Sequence, residues 1–353
     1  MNERLHICGP VDPRFLPQTR APHFDTSMNA WVLSHYADVL AAFQCASFYP
    51  AGSGVGAPSR PPQENVIAQM RRDTRDALSP AQLRVWRRAL SSAARTQMKN
   101  LSPDHPVDLL DAYARPLCLM LAAMVTNIDL RQAERLRGIA EPISAAAAEP
   151  LDASLKVSAK AVNARIRSCF PSGPEPLRDS GFIALAHTLP CLLANAWLAL
   201  LKFPGQWTIL HREPRAVEQA LEELLRHSGL PRILFRCASD HTEFHGVHIR
   251  KGDRIVLEVL AANHDPESFV HPHRLDVKRR RIRQLTFGAG PHACVGAGLI
   301  RMAAVTITRP LLARFSSARL VEPVEWKGGS GFRFPASLRV TLCEYANRRF
   351  HSE

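Results

Sequence analysis

The chain has 353 residues, 46% hydrophobic and 22% charged. That is a globular balance, which excludes wholesale disorder, a collagen-like repeat and a simple coiled coil. Its 45 Lys and Arg against 32 Asp and Glu leave +13 with the 15 His counted as neutral, which points to an acidic partner: nucleic acid, anionic lipid or an acidic protein.

Residues 1–30 are Pro-rich and irregular. They lack a continuous apolar core, so no secretory leader is expected. Ala30–Leu33 reads as a short strand and Tyr36–Phe43 as a short helix. Residues 50–63, PAGSGVGAPSRPPQ, are a loop by composition. Ser79-Pro80 pairs an N-cap with Pro at the first helical position and opens a helix to about Met98. Helical pattern continues over 107–126, 131–147, 152–168, 180–202, 205–211 and 214–228. Strand signals come late, at Ile233–Cys237, Thr242–Ile249 and Arg254–Leu257, with turns at Gly246 and Gly252. A helix over about 297–315 follows, then a hairpin around 331–343. The pattern predicts a mainly α fold with small β-sheets, in one domain over 1–353.

Phe182–Leu201 is twenty residues without a formal charge, long enough to cross a bilayer. Its interior holds His187, Thr188, Pro190 and Asn195, costly against lipid and ordinary in a buried helix that lines a site. A core helix is expected and no membrane span. The eight cysteines are scattered, with no metal-finger spacing, and are too sparse for a disulfide scaffold. A reducing cytoplasm is the expected compartment.

The segment Thr286–Met302, TFGAGPHACVGAGLIRM, surrounds one cysteine with four glycines and leads into an apolar helix. Glycines let a backbone approach a ligand closely, and a helix N-terminus favours a thiolate. Cys294 could therefore be a nucleophile, a metal ligand or a haem ligand. Gly288 to Ala293 also fits GxGxxA, the dinucleotide fingerprint. No βαβ pattern surrounds it, and residues 303–318 hold no acid to bind a ribose.

The longer string Phe287-Gly288-x-Gly290-x-His292-x-Cys294-x-Gly296 resembles the haem-binding loop of the cytochrome P450 superfamily at every fixed position. The resemblance implies that Cys294 is the thiolate ligand of iron in haem b (iron protoporphyrin IX), a ligand that pushes electron density onto the metal. Two further segments are similar to the family in the right order. Glu223 and Arg226 in LEELLR match its ExxR motif. Ala262-Asn263-His264-Asp265-Pro266, with Phe269, Pro272, Arg274 and Asp276, matches its meander, with Leu275 for the usual Phe. The resemblance implies an ion-pair network of Glu223, Arg226 and Arg274 behind the haem loop. It also implies propionate contacts from Arg236, His292 and Arg71, while Ile67 stands where the family often has His. A solvated helix face is the other reading of Arg71.

Phe203-Pro204-x-Gln206 resembles the family's HPxQ and places the oxygen-activating helix over 182–202. There the sequence has Ala184-Leu185-Ala186-His187-Thr188-Leu189. Thr188 keeps the alcohol of the family's acid–alcohol pair, and His187 replaces the acid. His187 either relays protons, as an imidazole can near neutral pH, or fills the pocket wall. Pro190 removes a hydrogen bond to residue 186 and is expected to open the helix. The stretch between Asn127 and Phe182 looks shortened relative to the family.

Lys278, Arg279, Arg280, Arg281 and Arg283 precede the haem loop. By the resemblance this face docks an acidic electron donor, ferredoxin with its reductase, rather than nucleic acid. The implied activity is monooxygenation of a small apolar molecule, probed by Thr188 and His187 as catalytic candidates. The alternatives are P450-like non-standard chemistry, such as peroxide-driven oxidation, coupling, rearrangement or dehydration, and a non-catalytic haem-binding protein.

Overall fold

The structure is a computed structural model that describes residues 21–50, 64–170, 177 and 179–344. The loop at 51–63 and most of 171–178 lie outside the described residues.

Helix Leu189–Lys202 is apolar on nearly every side and buried on nearly every side, the pattern of a helix inside the core. With Ser180–Ile183 and the turn between, it forms the one described stretch long and apolar enough to cross a membrane, and 72% of its most apolar window is buried within the protein. Around it pack helices Arg115–Thr126, Val217–Ser228 and Ala297–Arg314. Two polar contacts fix the register of this core. Trp197 Nε1 donates to Thr308 Oγ1 at 3.0 Å, and the Tyr113 hydroxyl donates to Ile307 O at 2.9 Å. Helices Leu130–Ala148 and Ala153–Arg167 form an outer pair, the first packing on residues 184–188 and the second on the preceding turn Asp179–Ile183.

Two π-helical turns have the same local origin. Ala184–Thr188 is followed by Leu189-Pro190, and Leu110–Ala114 by Arg115-Pro116. In each, the residue before the proline donates five residues back, Leu189 to Ala184 O and Arg115 to Leu110 O. Proline offers no N–H and crowds the preceding carbonyls, so a wider turn relieves the clash. This is the opening expected from Pro190.

The expected strand Ala30–Leu33 runs parallel to Arg254–Leu257, with Val32 opposite Val256. It belongs to a five-stranded sheet in the order His23–Asp25, Ala30–Leu33, Arg254–Leu257, Leu234–Ala238, Phe48–Pro50. One face of this sheet packs on helix Tyr36–Gln44 through Leu33, Val39, Phe43 and Leu257. Ser79 caps helix Pro80–Met98, its hydroxyl accepting from Gln82 N.

Two expectations are corrected. The segment 107–126 begins as strand Pro106–Asp108 before it turns helical. The hairpin expected at 331–343 is split: Arg333–Pro335 pairs with Trp326–Gly328, whereas Arg339–Glu344 pairs with Phe315–Leu320 and Pro106–Asp108. The first pair is a local hairpin shifted toward the N-terminus; the partners of Arg339–Glu344 are distant in sequence, and local turn signals do not reach them.

Candidate active site

The cysteine loop is shaped by its own backbone. Cys294 N donates to Phe287 O at 2.8 Å, and Gly288 N to Leu285 O at 2.8 Å. Gly290 has φ +67° and lies so close to helix Tyr36–Gln44 that a Cβ there would sit 2.6 Å from Phe43 O. Only glycine combines that backbone with that approach. Asn263 ties the loop from behind, accepting from Leu285 N at 2.8 Å and donating to Thr286 Oγ1 at 3.1 Å. Thr286 Oγ1 in turn donates to Leu225 O at 2.7 Å.

Cys294 then faces a cavity of about 330 Å³, within the range of small-molecule sites. The opposite wall is the central helix, through Ala184, Thr188, Leu189 and Leu192. Spacing of four residues puts 188 and 192 on one face, and the π-helical turn brings Ala184 to the same wall. Cys294 is exposed and lines this cavity. Burial pushes its thiol up. The Gly296 amide, the Arg71 and Arg301 charges and the Ala297 amide pull it down, and burial prevails. The helix end thus favours the thiolate, as expected, and burial opposes it.

Arg236 lies on the cavity wall and is 6% exposed. One guanidinium nitrogen donates to Phe235 O at 2.9 Å, the group stacks over the Phe43 ring at 5.1 Å, and its Nε has no partner. No carboxylate pairs with it among the described residues, and burial lowers its pKa to about 10. A desolvated cation left half-satisfied at a cavity is a receptor for an anion. His292 lines the same cavity.

Behind the loop, Glu223 and Arg226 are both fully buried. Arg226 forks onto Glu223 with bonds of 2.8 and 2.9 Å and donates to Asn263 O and Pro272 O. Glu223 also accepts from Asp276 N and from Arg279 Nε, each at 3.1 Å. The third cation is therefore Arg279, and Arg274 is corrected out of the network. Its side chain is exposed and it contributes its carbonyl, an acceptor for Arg226 and Arg279. The same bond removes Arg279 from the docking face, whereas Lys278, Arg280, Arg281 and Arg283 are exposed.

His187 does not share the cavity with Thr188. Its Nδ1 lies 3.8 Å from Glu141 Oε2 on helix Leu130–Ala148, and its Nε2 is buried without a partner. Burial, aided by the Arg137 charge and opposed by Glu141, lowers its pKa. The two residues are adjacent in one π-helical turn, so their side chains leave it in different directions. Arg71 also stands off the cavity wall, donating to Ala293 O at 2.7 Å and so bracing the loop. The side chain of Ile67 lies outside the described residues. Asn263, Thr286 and Phe43 were missed as site builders. Asn263 is the one with a visible signal, since it sits inside the meander match.

Three histidines line the back of the network. His227 and His264 rings lie 5.6 Å apart, and His264 and His273 rings 5.4 Å. His264 Nδ1 donates to Leu260 O, which leaves its buried Nε2 without a partner. Burial, with Arg226 beside it, pushes His227 down to about 4; burial and the neighbouring histidine also push His264 well below its ordinary value. Above about pH 6.5 both folded and unfolded states are neutral here and stability is full. As pH falls from about 6.5 toward 4, the unfolded chain takes up the proton first, and stability is lost. From His227 alone the loss between pH 7.5 and 4.5 is about 2–3 kcal/mol. Urea midpoints at the two pH values check this, and His227→Gln should narrow the gap.

Residues 215–332 match the cytochrome P450 family model. Cytochrome P450 CYP107DY1 of Priestia megaterium is 40% identical over 144 residues, which are 41% of this chain and 34% of that protein. The chain thus spans about a third of the length of that relative. Among solved structures, ligand-free CYP164A2 of Mycobacterium smegmatis has a TM-score of 0.84 at 22% identity, over 93% of this chain and 95% of that one. P450BioI, solved with hexadec-9Z-enoic acid-ligated acyl carrier protein, has a TM-score of 0.82 at 20% identity, over 92% and 94%. At such identities the likeness shows the fold.

Proposed function

We propose that this chain, a member of the cytochrome P450 superfamily, is a haem-thiolate monooxygenase acting on a small apolar molecule in the cytoplasm. One observation carries the reading: Cys294 and Thr188 line the same apolar cavity, edged by the half-satisfied Arg236. These residues fit haem b. Cys294 would be the thiolate ligand, its charge supported by the Gly296 and Ala297 amides. Arg236 and His292, both on the cavity wall, would receive the propionates. When bound, haem supplies dioxygen activation, which a thiolate ligand promotes. Leu189, Leu192, Leu234 and Phe332 exclude water and hold an apolar substrate. Thr188, on the cavity wall, holds or passes a proton through its hydroxyl.

Electrons come from a ferredoxin with its reductase. Lys278, Arg280, Arg281 and Arg283 form an exposed basic run next to the loop, suited to steer an acidic donor. The test is dioxygen consumption matched by hydroxylated product with such a donor. Reduction should slow about tenfold or more between low and physiological salt, and an Arg280→Glu, Arg281→Glu variant should slow it further at low salt. Salt-insensitive reduction argues against the docking face, and consumption without product argues against the activity.

The His187 orientation supports a second reading. With His187 turned to Glu141, Thr188 has no acid–base neighbour from its own helix turn on the cavity. Peroxide-driven oxidation, coupling or rearrangement needs less proton delivery from the protein. Turnover with peroxide alone, and none with the donor system, selects it.

A further inference from the structure

One cavity wall is built by Pro231 and Phe332, and both hang from a single joint. The turn 328–331, Gly-Gly-Ser-Gly, closes the hairpin that carries Phe332, with Gly329 N donating to Phe332 O at 2.8 Å. Gly331 N and Phe332 N donate to Ala148 O at 3.0 and 3.2 Å. That carbonyl is one of those left over at the end of helix Leu130–Ala148. Ser330 N donates to Glu149 Oε2 at 3.3 Å. From the other side Arg232, 7% exposed, donates its Nη1 to Gly329 O at 3.0 Å and its backbone N to Gly331 O at 2.8 Å. Pro231 forms an isolated bridge with Phe332. The contact leaves no slack, since a Cβ at Gly331 would lie 2.4 Å from Ala147 O.

The turn is therefore held between a carboxylate at the end of an outer helix and a buried guanidinium on the segment leaving helix Val217–Ser228. The same outer helix packs on the π-turn above the cavity. We infer that Glu149 and Arg232 are positioning residues that hold Phe332 against the cavity, so that the size of apolar molecule accepted is set from the end of helix Leu130–Ala148. The substrate half of this inference rests on the proposed haem site, while the positioning half does not.

The test compares full-length, haem-loaded wild type with Glu149→Ala, Glu149→Gln and Gly331→Ala. Amide exchange reads the turn directly. Glu149→Ala should speed exchange over 329–332 about tenfold, the equivalent of one net hydrogen bond. Glu149→Gln keeps an acceptor oxygen and should stay within about twofold. Soret titrations with imidazole and 4-phenylimidazole read the wall. Glu149→Ala and Gly331→Ala should change the ratio of the two affinities about fivefold or more in favour of the larger ligand. A merely structural role would weaken both ligands together and leave the ratio unchanged. Wild-type exchange in both variants overturns the inference, as does faster exchange with an unchanged ratio. Failure of wild type to shift its Soret band with imidazole counts instead against the haem site, and the exchange result still decides the positioning.

Discussion

Cys294→Ser is expected to abolish the thiolate signature of the carbon monoxide adduct and all donor-driven turnover. Loss of a partner one shell away from a metal costs ~10–100-fold in affinity, so loss of the ligand itself should exceed about 100-fold. Serine cannot supply a soft anionic sulfur near neutral pH. The loop should survive the change, because its bonds at this position are main-chain: Cys294 N to Phe287 O, and Ala297 N to Cys294 O. Circular dichroism should therefore match wild type while the Soret band of the carbonyl adduct moves. A serine variant that keeps the wild-type adduct spectrum removes the basis of the haem-thiolate reading.

Arg226→Ala is expected to have the largest effect on stability. The guanidinium satisfies both Glu223 oxygens and three main-chain carbonyls, of Asn263, Pro272 and Arg274, in a fully buried setting, and it lies 5.2 Å from the Phe269 ring. Removing one partner of such a pair leaves a buried charge and orphaned acceptors, at about 3–5 kcal/mol. Against a typical total of roughly 5–15 kcal/mol, much of the protein should unfold or fail to retain cofactor. Arg226→Lys should recover little, because an ammonium cannot fork onto both oxygens. The urea midpoint is the measure. A midpoint within about 1 kcal/mol of wild type contradicts the assignment of this network as the support of the loop.

The cysteine loop, the Glu223–Arg226 pair and the central helix were legible because each is local: a short string, an i, i+3 spacing, an uncharged run. What was not legible depends on distance or direction. Arg279 and Arg274 are five residues apart in one irregular segment, and only the chain path decides which reaches Glu223. His187 was placed beside Thr188 by sequence adjacency, yet adjacent helical side chains diverge. Strand Arg339–Glu344 finds its partners at Phe315–Leu320 and Pro106–Asp108, pairings that no turn signal announces. The π-turn was half legible, since Pro190 marks the site while the widened ladder is a matter of how the chain relieves the clash.

That widened turn also divides the long apolar helix into two halves with independent aim. An extra residue in one turn rotates everything upstream by about 100° relative to an uninterrupted spiral. Phe182 and its neighbours can therefore face the outer helices, while Leu192 and Trp197 keep their bearing on the interior. A single proline thus lets one rod answer to two different surroundings.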